Sequence, residues 1–200
     1  MRRSSVVNEN IFRLINDLGK QHSFFNPFFV FIAEYMVVFL AMVVFTFWFT
    51  RKHKNRIMVI CGSITFVVAE IIGKVAGKIH SNHQPFAELS NVNKLIEKAV
   101  DNSFPSDHTI LFFSFCVTFW LFRGGRGFIW VLLAFLVGIS RIWVGVHYPA
   151  DILVGAMISI VSAFVVFRVV PKLSMIQKLL GIYEKGESYI LPLKKDNYQG

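Results

Sequence analysis

A chain of 200 residues with 54% hydrophobic content and 22 phenylalanines, at a mean hydropathy of +0.55, is too apolar for a soluble domain and reads as a polytopic membrane protein. The formal charge of +9 does not point to nucleic acid, because the basic residues cluster in turns between apolar runs, where cationic loops meet anionic head groups. No nucleic-acid partner is expected; the expected surroundings are membrane lipids.

The opening MRRSSVVNENIFRLINDLGK lacks the apolar stretch and small-residue cleavage site of a signal peptide, and nothing is expected to be removed. An amphipathic helix is expected over about 8–19, with Ile11, Leu14, Ile15 and Leu18 on one face, Arg13, Asn16 and Asp17 on the other, and Gly19 as a stop. Too short to span, it belongs in the interface or forms a partial helix. Five spans are then expected, at about 27–49, 57–79, 109–122, 128–146 and 149–170. Cys61 and Cys116 fall inside these runs and read as packing thiols. A polar segment over 80–108 separates the second and third spans, and the mixed charges from Tyr183 to Gly200 read as a solvated end. The expected fold is therefore all-α: one polytopic helix bundle over 1–200, with its core at about 57–171 and a tail at 172–200.

Lysine and arginine counts orient the bundle. RKHKNR carries four, the RGGRG turn carries two including Arg123, and the tail carries more, so these three lie on the cytoplasmic side. The 80–108 segment then faces out, where Lys94 and Lys98 are outnumbered by Glu88, Glu97, Asp101 and Asp107. With a single span before RKHKNR, Arg2 and Arg3 sit outside unless the first helix dips through the bilayer.

Arg141 stands alone in LLAFLVGISRIWVGV. A charge there is either a snorkelling side chain or a functional group. His147 follows six residues later and Asp151 four after that, across a Tyr148-Pro149 break that starts the next helix. A carboxylate one turn from an imidazole can accept its N–H, fix the tautomer and leave the other nitrogen as a nucleophile. A guanidinium is a natural partner for a phosphoryl group. On the same side, NSFPSDHT places Pro105, Ser106, Asp107 and His108 at a helix start. That start is either an ordinary proline-initiated cap or an anion site with free backbone N–H groups, in which His108 can protonate a leaving oxygen. Glu70, Lys74 and Lys78 share a helical face, with Glu70 and Lys74 spaced to pair. His80 and His83 lack a third partner for a metal, and neither metal nor cofactor is expected. Glu34, inside the first span, faces either the protein interior or the outer interface.

Together these elements resemble the type 2 phosphatidic acid phosphatase superfamily, whose motifs are K-x6-R-P, P-S-G-H and S-R-x5-H-x3-D. The third is matched by Ser140, Arg141, His147 and Asp151, and the second by Pro105, Ser106 and His108, with Asp107 in place of glycine. The first departs: Gln84 precedes Pro85 where the family has arginine, and the lysine register falls on Gly77, with Lys78 one residue off and Lys74 a turn deeper. AEY near Glu34, QPF, SFPSDHT and FLVGISRIWVGVHYPAD are similar to the bacterial undecaprenyl-diphosphate phosphatases associated with bacitracin resistance. The resemblance implies hydrolysis of a polyprenyl diphosphate at the outer membrane face, with His147 as nucleophile, His108 as acid and Asp151 orienting His147. Arg141, Ser106, Ser140, Asp107, Gln84 and Lys78 or Lys74 would surround the phosphate. Two rivals are a phosphatase of phosphatidylglycerophosphate or another lipid phosphate, and a transporter or permease component. A transporter would predict duplicated halves, which the sequence lacks.

Overall fold

The computed structural model describes residues 2–191, with side chains from residue 6 onward. All regular structure among them is helical: α1 (Arg2–Gln21), α2 (Asn26–Phe49), α3 (His53–Ile79), a single turn α4 (Pro85–Glu88), α5 (Asp107–Arg123), α6 (Phe128–Trp143), α7 (Pro149–Val169) and α8 (Ser174–Ile190). Short 3₁₀ turns lead into α2 and α6 and follow α7.

Four helical segments, 23–49, 53–79, 125–143 and 149–172, are long and apolar enough to cross a membrane. That corrects the expected five. The run at 109–122 forms α5, which has 17 residues, about 25 Å at the usual rise, the lower edge of spanning length. Its apolar character serves the protein interior: α5 packs against α3, α6 and α7, and Ile110, Phe112, Phe113, Cys116, Val117 and Phe119 are buried. α2 is the opposite case. It starts with a proline in its first turn, is apolar on all sides, and exposes Phe28, Phe31, Val38, Met42 and Phe45, as a helix bathed in lipid must.

Because α2, α3, α5, α6 and α7 alternate in direction, the bundle has two unlike ends. One gathers the α2–α3 and α5–α6 turns with Arg51, Lys52, Lys54, Arg123 and Arg126. The other gathers the segment 89–106, the start of α5 and the α6–α7 turn. Glycine allows the closest approach at this second end: a Cβ on Gly77 would stand 2.6 Å from the Phe104 carbonyl oxygen, so the segment lies directly on α3.

The terminal helices depart from expectation. α1 runs well beyond 8–19, and the face it turns to the protein carries Phe12, Asn16 and Gly19, while Ile11, Leu14 and Leu18 are exposed. In a membrane the apolar stripe can face lipid, and a polar residue is buried where it finds partners. The tail is no free solvated end either, as far as residue 191: α8 docks on the basic end through Leu180 and through Glu187, which lies 2.6 Å from the buried Arg56. Residues 192–200 of the expected tail lie outside the described residues.

Candidate active site

The α6–α7 turn, Val144 to Tyr148, carries His147. Gly145 makes the turn possible with φ +84, and a side chain there would meet the Asn93 carbonyl oxygen at 2.8 Å. Helix α1 lies across the turn. The Asn16 amide donates to the Trp143 carbonyl at 2.8 Å and to the Asn93 carbonyl at 3.1 Å, and accepts the Asn93 N–H at 2.9 Å, filling carbonyl valences that a helix end leaves open. Asn8 accepts the Ala150 N–H at 2.9 Å at the start of α7. Asp151, in the first turn of α7, accepts the Tyr148 backbone N–H at 2.8 Å, which pins its carboxylate beneath the histidine.

His147 is buried, and its Nδ1 lies 3.0 Å from the Ser103 carbonyl oxygen. A carbonyl only accepts, so Nδ1 carries the proton and Nε2 carries the lone pair. The expected Asp151 contact is present at 3.5 Å, but a shorter route passes through Ser103. Its hydroxyl donates to Asp151 Oδ2 at 2.6 Å and stands 3.1 Å from Nδ1. Burial holds the imidazole below the ordinary histidine value; the hydrogen bond to Asp151 opposes this, and the charges of Lys98 and Arg141 reinforce it. Lys98 Nζ is 3.5 Å from Nε2, so an ammonium faces the free lone pair.

Arg141, in the last turn of α6, is 4% exposed. Its Nη1 donates to the Ala33 carbonyl of α2 at 2.9 Å, while its Nε is buried without a partner. An anchored guanidinium with an unspent donor is the arrangement an oxyanion needs. Ser106 is the N-cap of α5, yet its hydroxyl makes no capping bond and has no partner, so the first N–H groups of α5 remain free to bind an anion. His108, in that first turn, is half-buried and within electrostatic reach of Arg141, His147 and Lys98.

Other residues singled out in the sequence stand elsewhere. Ser140 is buried and spends its hydroxyl on the Val137 carbonyl at 2.6 Å. Gln84 is fully buried and holds the segment rather than facing His147: its amide donates to the Asp101 carboxylate and accepts the Asp101 N–H at 3.1 Å. Lys74 is 72% exposed and pairs with Glu70 at 3.6 Å. Lys74, Lys78 and Asp107 line a recess of about 340 Å³ between α3 and α5, with Glu70, Asn102 and Pro105. His80 packs edge-on against Phe104, and the His83 ring lies against the Asp101 carbonyl. Glu34 is exposed on α2.

The model of the PAP2 superfamily matches residues 81–175, the stretch that holds Gln84, Lys98, Ser103, Ser106, His108, Arg141, His147 and Asp151. A protein of Bacillus licheniformis named "bacitracin transport permease protein BcrC" is 57% identical over 95% of this chain and 94% of its own. The chain belongs to the PAP2 superfamily. A second relative, "undecaprenyl-diphosphatase BcrC" of Bacillus subtilis, is 34% identical over 81% of this chain and 83% of its own. Among solved structures, the crystal structure of Aquifex aeolicus LpxE superposes with a TM-score of 0.67 at 27% identity, covering 81% of this chain and 95% of that one. As a PAP2 protein the chain is a membrane-embedded lipid phosphatase. Two residues that approach His147, Ser103 and Lys98, were not singled out in the sequence. Ser103 lay in plain view two residues before Pro105, and no spacing rule pointed to either.

Proposed function

We propose that the protein hydrolyses undecaprenyl diphosphate to undecaprenyl phosphate and inorganic phosphate at the outer membrane face, recycling the cell-wall lipid carrier and conferring bacitracin resistance. The observation that carries the reading is the His147 tautomer: with Nδ1–H committed to Ser103, Nε2 keeps its lone pair, and Arg141, within electrostatic reach, keeps an unspent Nε donor. The names of the relatives supply the lipid. Facing outward is supported by the gathering of lysine and arginine at the opposite end of the bundle.

In the first step Nε2 attacks the terminal phosphorus, the P–O bond to the bridging oxygen breaks, and His108 gives that oxygen its proton as the lipid monophosphate leaves. The negative charge of the diphosphate favours the protonated form of His108, which otherwise sits among cations. Arg141 Nε, the Ser106 hydroxyl and the first amides of α5 hold the equatorial oxygens as charge shifts. Asp151, acting through Ser103, stabilises the positive charge that builds on the imidazole. In the second step water attacks the phosphohistidine, His108 takes its proton, the P–N bond breaks, and His147 returns to its starting tautomer.

Phosphate release from purified protein and undecaprenyl diphosphate tests the reading. Wild type is expected to release one phosphate per lipid, and His147→Ala and His108→Ala are each expected to lose about 10³-fold or more. Near-normal release by either variant would sink the mechanism. Transport, as in the name of the Bacillus licheniformis relative, predicts instead lipid movement across vesicles without phosphate release.

A further inference from the structure

We infer that Lys98 is a substrate-binding residue of this site: its ammonium stands beside the lone pair of His147 and moves to an oxygen of the terminal phosphoryl group when the substrate arrives. The inference rests on the hydrolytic reading above.

The geometry comes first. Lys98 Nζ stands 3.5 Å from His147 Nε2, the outer limit of a hydrogen bond, and forms no ion pair among the described residues. A cation at that distance from a neutral nitrogen is near the reacting atom without being seated on it. A phosphoryl oxygen in line with Nε2 would come within reach of the same ammonium. A charge-assisted bond to oxygen is stronger than one to a neutral imidazole, so the ammonium transfers to the anion and Nε2 is uncovered as the phosphorus approaches.

The chain around Lys98 is built to hold it there. Gln84 clamps Asp101 through two hydrogen bonds, Ser103 N–H donates to the Asn82 carbonyl at 2.7 Å, and Leu95 N–H donates to the Val144 carbonyl at 3.2 Å. Ile96 is buried against Trp143, Val144 and Val146. Lys98 therefore projects from a segment fixed on both sides to the elements that carry His147. Position 84, where the sequence pattern led us to look for a cation, holds a neutral amide whose work is to secure this segment. The lysines of α3 make no hydrogen bond to His147: Lys74 is exposed and paired with Glu70, and both Lys74 and Lys78 line the recess between α3 and α5. Burial, then the charge of Arg141, lower the Lys98 pKa, while Asp101, Asp107 and Asp151 oppose that shift.

The test compares wild type, Lys98→Met, Lys98→Arg and a Lys74→Met/Lys78→Met double variant in two measurements. These are binding of inorganic phosphate, read as protection against thermal unfolding, and phosphate release from undecaprenyl diphosphate. For Lys98→Met we expect phosphate affinity to fall about tenfold and kcat/KM about 100-fold, the span of a hydrogen bond to a charged group, with unliganded Tm unchanged. Lys98→Arg should recover most of both, and the double variant should lose less than Lys98→Met. Wild-type phosphate affinity and kcat/KM in Lys98→Met would overturn the inference. So would a double variant that loses phosphate binding while Lys98→Met keeps it. If wild type binds phosphate in a Lys98-dependent way but releases none from the lipid, the hydrolytic reading fails and the binding role of Lys98 stands.

Discussion

Ser103 Oγ lies 2.6 Å from Asp151 Oδ2, a contact between residues 48 apart in the chain. It ties the segment before α5 to the first turn of α7, and through the Ser103 carbonyl it sets which nitrogen of His147 bears the proton. Ser103→Ala keeps the carbonyl and removes only the relay. Its expected effect is a fall in kcat of about 10- to 100-fold, the range for a group that orients a reacting histidine, with KM nearly unchanged. Steady-state phosphate release measures it, and a rise in KM at constant kcat would assign Ser103 to substrate binding instead.

The pH dependence follows from the environment of His147. Its pKa is held down first by burial, with Asp151 pulling it up and Lys98 and Arg141 pushing it down. The proposed mechanism requires His147 to be neutral, so activity should persist below the ordinary histidine value of about 6.5 and fail only at lower pH. Asp151→Asn removes the opposing interaction, which moves that acid limb further down while lowering the maximal rate. A limb that moves up in this variant, read from kcat/KM profiles on the same substrate, would contradict the assignment.

Asn16 should matter for stability as well as for activity. Asn16→Leu leaves the Trp143 carbonyl and both backbone groups of Asn93 without their side-chain partner. Unsatisfied buried groups cost about 1–3 kcal/mol each, so a clear drop in Tm is expected, together with reduced activity because the His147 turn loses its support. Thermal unfolding in detergent and phosphate release measure the two.

At the other end, Glu187 serves the fold alone. Its carboxyl is held below the usual range chiefly by its hydrogen bond to Arg56, which is buried under it at 2.6 Å. A depressed carboxyl contributes stability above its unfolded value of about 4.3, and that contribution is lost as pH falls through the folded value. Glu187→Gln should therefore have a lower Tm than wild type at pH 7, and the gap should close in acid. Phosphate release should stay within about twofold of wild type, the scatter of an uncoupled site.

The sequence disclosed those parts of the site whose placement is local. Arg141, His147 and Asp151 sit on a helix end, a turn and a helix start whose spacing alone brings them together. Ser103 and Lys98 lie in a segment without helical or strand period, and contacts such as Gln84 with Asp101 and Asn102 with the Gly77 carbonyl decide their position. No pattern within that segment could report them. The first helix was legible as amphipathic, and its exposed Leu14 and Leu18 suit an interfacial position, but the burial of Asn16 on its polar face depends on distant carbonyls that no local pattern reports. α5 did mislead, since a run apolar enough for lipid was used to fill the centre of the bundle.

The reach of α1 has a bearing on how the protein is made. Asn16 bonds to carbonyls 126 and 127 residues further along, and Asn8 to an amide 142 residues on. Synthesis runs from the N-terminus, so α1 meets these partners only after α6 and the start of α7 have emerged. Until then its apolar stripe of Val7, Ile11, Leu14 and Leu18 gives it a resting place on the lipid surface. The histidine's turn is thus braced by a side chain made 126 residues before the Ile142 carbonyl that it holds.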